Sequence, residues 1–278
     1  MYFLVLGGII KVVCTILFVA VLDMNVAGVA LSTIISNLIA SVLAFLALLN
    51  SKDYICIDLK NLRFDALELK QMLFIGIPAG LQSALYSLAN VVITAAVNTF
   101  GADATTGVAI ANQFDGILYQ IAYAPSLAVI PYAAQNLGAG NFKRVRKIVS
   151  KAVLITTVFG LTFGLFSAIF SKQLSAIMSS SSAVIKFSQQ KMVIVSSTYF
   201  ICGINEVMGG VLKGMGKPMI PTIATMIYMC LLRFVWVYGI FPLCPNLTFL
   251  YLVWPIGWIL SIITLLFVYF PTMSKFQK

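Results

Sequence analysis

The sequence predicts an all-α, polytopic membrane protein with eight transmembrane helices, on three observations. The 278 residues are 61% hydrophobic and 9% charged, with a mean hydropathy of +1.02, whereas a soluble domain carries roughly a quarter charged residues. Its apolar residues run in stretches of about 20, the length of helix that crosses a hydrocarbon core of ~30 Å. Those stretches lack the polar alternation of a barrel, and lipid cannot satisfy an open sheet edge, so strands are excluded as spans.

In chain order the spans are expected at residues 2–22, 26–49, 72–99, 106–134, 148–170, 192–212, 219–241 and 249–270. The first reads as a span and not a signal peptide, because no basic region precedes it and no small-residue cleavage site closes it. Residues 50–71 interrupt the apolar pattern with Lys52, Asp53, Asp58, Lys60, Arg63, Asp65, Glu68 and Lys70. They divide the chain into two helices (1–49), a linker (50–71) and six helices (72–278). Between the fourth and fifth spans a glycine-rich break at Gly138 and Gly140 is followed by Lys143, Arg144, Arg146, Lys147 and Lys151. Short basic loops stay on the cytoplasmic side. That orientation places the linker, the turn with Lys213 and Lys217 and both termini there as well. Lys172, Lys186 and Lys191 then fall outside, near a serine run, 179–182, that reads as an external loop leading into a helix start.

Net charge and cysteine usage exclude several function classes. A net charge of +10 suggests nucleic acid in a soluble protein, but here the basic residues gather beside apolar spans and point to lipid headgroups, so no nucleic-acid partner is expected. The five cysteines form no CxxC and the chain has no histidine, which disfavours a zinc, haem or Cys/His site and leaves neither a cofactor nor an enzyme expected.

Ionisable side chains inside spans are the functional candidates, since each costs about 2.5–3.5 kcal/mol at mid-bilayer even on the lenient insertion scale. Lys11, Asp115, Glu206 and Arg233 qualify. Asp115 lies about 14 Å into the fourth span. It shares a face with Asn112, Tyr119, Tyr123 and Ser126, beside Gln113. The third span offers a matching stripe of Ser83, Ser87, Asn90, Thr94 and Asn98, with Gln82 and Tyr86 alongside, and two such stripes on neighbouring helices would line a wet pocket. Glu206, about 10 Å inside the cytoplasmic boundary, shares a face with Tyr199, Gly203 and Gly210. A carboxylate so placed can exchange a proton or Na⁺ for a cationic substrate. Structural roles compete with this reading: Asp115 and Arg233 at similar depth can neutralise each other, Glu206 can reach Lys213 or Lys217, and Lys11 can snorkel. Pro78, Pro125, Pro131 and Pro255 are expected to kink their spans. The three tryptophans read as packing residues or interfacial anchors.

Five segments, in order and at suitable spacing, resemble the multidrug and toxic compound extrusion (MATE) family. They are VAGVALSTIISNLIAS at 26–41, GIPAGLQSALYSLANVV at 76–92, AAQNLGAGNFKRVRK at 133–147, GGVLKGMGKPMIP at 209–221 and RFVWV at 233–237. The resemblance implies a MATE-like bundle representing the last two helices of a first lobe and the complete second lobe, with four helices or a complementary half missing. It further implies a cell-membrane antiporter that exports drugs or organic cations in exchange for Na⁺ or H⁺. Asp115 and Glu206 would take the coupling ion or a cationic or amphipathic small molecule, and Tyr86, Asn90, Asn112, Gln113 and Arg233 would add polar contacts. Sodium-type members carry an acidic residue about two turns after the GIP proline; Tyr86 stands there in this sequence. The alternatives are a lipid-linked saccharide flippase, disfavoured by only two cations within the expected spans, and a non-transporting half-transporter or scaffold.

Overall fold

The computed structural model describes residues 2–50 and 64–275, with side chains for 5–50 and 64–274. Most of the linker expected at 50–71 and the end of the tail lie outside the described residues. The chain divides into two compact units, Met1–Leu69 and Lys70–Lys278.

In the first unit α1 (Tyr2–Ile16) continues through a π-helical turn, Leu17–Val21, and reverses into α2 (Asn25–Leu49). Asp23 and Asn25 make the reversal at φ 49° and 46°, a left-handed conformation that these two residue types tolerate better than most side chains. The helices meet along small groups. Gly28, Ser32 and Ser36 are the buried residues of α2, one per turn, and Thr15 and Ser32 share a 2.7 Å hydrogen bond. Lipid supplies no hydrophobic drive between helices, so close approach and hydroxyl pairing hold such a pair. Lys11 is exposed on α1.

The second unit is built around α4 (Ala102–Gly138), which packs on α5 (Phe142–Ile169), α7 (Ser182–Ser197) and α8 (Tyr199–Gly214). Helix α3 (Ala66–Asn98) precedes it, and a short α6 (Ser171–Met178) separates α5 from α7. The glycine-rich break works as a stop and a start. Gly140 adopts φ 69°, the amides of Gly140 and Asn141 return to the carbonyls of Leu137 and Asn136, and the Asn141 side chain caps α5 by accepting from the Arg144 amide. Residues Met219–Leu243 form one apolar stretch in which α9 (Met219–Thr225) and α10 (Leu232–Val235) alternate with π-helical turns at Met226–Leu231 and Trp236–Ile240. Helices α11 (Leu247–Tyr251) and α12 (Val253–Lys275) close the bundle.

Two apolar clusters form its core. One joins α3 and α4 to α10, α11 and α12 through Val92, Leu118, Phe234, Tyr251 and Trp258; the other joins α4, α5, α8 and α12 through Val129, Val145, Leu212 and Leu265. Where α4 crosses its partners the contacts are backbone-close. A Cβ on Gly210 would stand 2.8 Å from Ser126 Oγ, and one on Gly107 would stand 2.6 Å from the Val184 carbonyl oxygen. Small residues at these crossings set the helix spacing.

Among the described residues six helices have the length and hydropathy of a span, or seven if the bent pair α7–α8 is one span, and the apolar helix Val5–Val21 is shorter. The expected count of eight is corrected accordingly. The segment expected at 192–212 begins earlier, at Ser182, and bends by 46° at Thr198 between α7 and α8; its first half is polar enough to escape a hydropathy window. Pro78, Pro125 and Pro131 lie inside helices, whereas Pro255 occupies the first turn of α12, where a missing N–H costs nothing.

The crossings predict opposite outcomes for two glycines. Gly107→Ala forces α4 and α7 apart and should cost about 1–3 kcal/mol. Gly80→Ala, in a helix with nothing within 4 Å, should gain up to about 1 kcal/mol. Thermal midpoints in detergent check both, and equal shifts would contradict the packing described.

Candidate functional site

Lys191, placed by the sequence on the external side, is 1% exposed and lies on the inner face of α7. Its ammonium stands 2.8 Å from Asp115 Oδ2 and donates to Asn112 Oδ1. Asn112 and Asp115 are one turn apart on α4, so one cation serves both. The competing Asp115–Arg233 pair therefore does not form; Lys191 takes that place. Pairing and hydrogen bonding of this kind offset the cost of burying an ammonium. The other carboxylate oxygen of Asp115 is buried with no hydrogen-bond partner, and the Tyr199 hydroxyl donates to the Asp115 carbonyl at 3.1 Å, tying α8 to the same turn.

Arg233, 2% exposed, belongs to a second group. Its Nη1 donates to Asn90 Oδ1 at 2.5 Å. The guanidinium lies 4.8 Å from the Tyr86 ring centroid and 5.2 Å from that of Trp254, favourable cation–π distances. Trp254 also lies 5.3 Å from the Lys191 ammonium, so one indole touches both cations. No carboxylate among the described residues pairs with Arg233. Among the described residues the buried cations are therefore Arg233 and Lys191, the second of which the sequence had placed in a loop.

Glu206 forms a third group on α8. It is half-buried and faces the Tyr119 hydroxyl, and the Tyr119 and Tyr123 rings stack with centroids 5.5 Å apart at 11°. Lys217 is bonded to Thr272 at 2.9 Å, and no cation among the described residues lies within ion-pair distance of Glu206. Next to it Asn205 keeps a buried side-chain oxygen without a partner.

Gln113 joins none of these groups. With Asn112, Gly116, Tyr119 and Gln120 it forms an exposed polar stripe along α4. On α3, Tyr86, Ser87, Asn90 and Thr94 are exposed too, and the hydroxyls of Ser87 and Thr94 are satisfied by their own helix. Exposed amides at mid-span are costly against lipid, so both faces suit a water-filled passage. By contrast an apolar cleft of about 380 Å³ lined by Ile263, Leu266, Phe267, Phe270 and Pro271 offers no polar group and stands apart from the site.

Sequence reasoning missed Lys191 and Trp254. The signal for Lys191 was the spacing Val184, Ser188, Lys191, Met192, Val195, which repeats on one helical face and is the buried face of α7. For Trp254 no sequence signal separated it from the other tryptophans.

Residues 78–238, more than half of the chain, match the MatE family. Among curated proteins, the probable multidrug resistance protein YpnP of Bacillus subtilis is 28% identical over 234 residues, 84% of this chain and 52% of that protein. The multidrug export protein MepA of Staphylococcus saprophyticus is 25% identical over 223 residues, 76% of this chain and 48% of that protein. Among solved structures, a MOP superfamily transporter from Pyrococcus furiosus superposes with a TM-score of 0.85 at 17% identity, over 100% of this chain and 63% of that one. The chain spans about half the length of the curated relatives it matches.

Removing one member of the buried pair leaves the other charge uncompensated. Lys191→Met should destabilise the bundle by about 3–5 kcal/mol, and adding Asp115→Asn should recover most of that loss. Thermal midpoints of the two single variants and the double variant check it; additive losses would mean that the pair does not interact.

Proposed function

This chain belongs to the MatE family, whose members are transporters and not enzymes, and from that premise we propose that it serves the export of small amphipathic or cationic molecules in exchange for Na⁺ or H⁺. The observation that carries this reading is the exposed polar stripe of α4 beside Glu206, a carboxylate on α8 with no cation among the described residues within ion-pair distance. Glu206 supplies the exchangeable negative charge, and the stacked Tyr119 and Tyr123 rings beside it suit an aromatic or cationic substrate. Asp115 contributes differently. A cation reaches it by displacing the Lys191 ammonium, so this pair acts as a charge-balanced latch. Tyr86, Asn90, Asn112 and Gln113 line the path.

In this reading the end of the bundle that carries Lys143, Arg144, Lys147 and Lys213 faces the cytoplasm, with both termini on that side. Transporters built from repeated halves bind substrate between them, and the bundle would act with a complementary set of helices, in keeping with the share of its relatives' length that it spans.

Glu206→Gln keeps the shape of the side chain and removes its charge. In a drug-sensitive host, efflux of a cationic dye should fall at least about tenfold, the scale of ~1.4 kcal/mol, with the protein still present in the membrane. Unchanged efflux would remove Glu206 from the mechanism.

A further inference from the structure

The guanidinium of Arg233 carries five N–H donors in a fixed fork, yet among the described residues its one hydrogen bond runs to Asn90. It is 2% exposed, on α10 near the middle of the Met219–Leu243 stretch. Around it stand two aromatic faces, Tyr86 and Trp254. Lys191, which also touches Trp254, is already compensated by Asp115, so the group as a whole holds one positive charge in excess. Desolvated cations without a counter-charge are costly in a low-dielectric interior. π-Helical turns flank α10 on both sides, and such turns occur frequently at functional sites. Asn90, whose amide oxygen accepts from the fork, is itself exposed on α3. That oxygen occupies the position that one oxygen of a carboxylate or phosphate would take.

We infer that Arg233, with Tyr86, Asn90 and Trp254, forms a seat for the carboxylate or phosphate group of an organic anion that carries an aromatic ring. The anion replaces the Asn90 amide on the fork and receives two parallel N–H bonds, the geometry in which arginine binds such groups most strongly. The ring of the same molecule packs against Tyr86 or Trp254, whose indole lies beside a second cation. This inference rests on the chain being a transporter and names a substrate class for it: molecules with an anionic group, zwitterions included, in addition to the cations suited to the Glu206 side.

Equilibrium binding tests this without requiring transport, so its failure is distinct from an unchanged efflux in Glu206→Gln. The 278-residue chain in phosphatidylcholine nanodiscs is titrated with fluorescein, an aromatic dianion, and separately with ethidium, an aromatic cation, by fluorescence anisotropy. Fluorescein should bind wild type and be displaced by phenyl phosphate, whereas ethidium should not be displaced. Arg233→Gln should weaken fluorescein about tenfold to a hundredfold, the scale of a lost charge-assisted fork, and change ethidium less than about twofold. Should Arg233→Gln fail to fold, Arg233→Lys keeps the charge, loses the fork and should still weaken fluorescein more than ethidium. Failure of fluorescein to bind wild type, or equal loss of both dyes in the variants, overturns the inference. So does displacement of fluorescein by added phosphatidylglycerol but not by phenyl phosphate, which assigns the seat to a lipid headgroup.

Discussion

A lysine held out of water in the middle of a helical bundle has to be matched, and the site is arranged around that requirement. Moving an ammonium into a low-dielectric interior costs several kcal/mol even after relaxation. Lys191 meets the cost with Asp115 and Asn112 from α4. The pairing joins α7 to α4, Tyr199 joins α8 to the same turn, and Trp254 extends the contact to α12. One match of charges thus links four helices and decides which of the two carboxylates is committed. Asp115 is committed; Glu206 is not.

Backbone-close packing is what brings the pair together. Gly107 lets α7 approach α4 until Val184 and Ser188 touch it, and Lys191 follows Ser188 by one turn on the same face. Buried serines at 171, 175 and 188 continue that interface, with Ser175 bonded to Ser188 at 2.8 Å. A larger side chain at Gly107 would shift the turn that carries Lys191, so packing and electrostatics are coupled through a single crossing. The uncompensated cation, Arg233, lies 5.2 Å from the centroid of the same indole and gives the group its positive bias.

Much of the architecture was legible in the sequence because hydrophobic length is a strong signal. The runs around α2, α3, α4 and α5, the stop at Gly138 to Asn141 and the polar faces of α3 and α4 are all readable from composition and period. The start of α7 was not. SAVIKFSQQK is polar by average hydropathy, yet its face of Val184, Ser188 and Lys191 is buried against neighbours whose serines and glycines make room for it. Tertiary context overrode the local signal there, and the misplaced helix start left Lys191 in a loop instead of on the buried face of α7. The competing reading in which Asp115 pairs with Arg233 came from depth alone, and depth along a helix does not reveal which partner faces which. Arg233 instead meets Asn90 and Tyr86, a grouping that needs the folded positions of α3 and α10.

The burial of Lys191 is open to direct measurement on the unmodified protein. Acylation of the folded chain in lipid by a water-soluble N-hydroxysuccinimide ester, read by mass spectrometry, reports which amines meet water. Lys172 and Lys186, both exposed, should be modified while Lys191 is protected. Modification of Lys191 at the rate of Lys186 would contradict the buried pair and the site built on it.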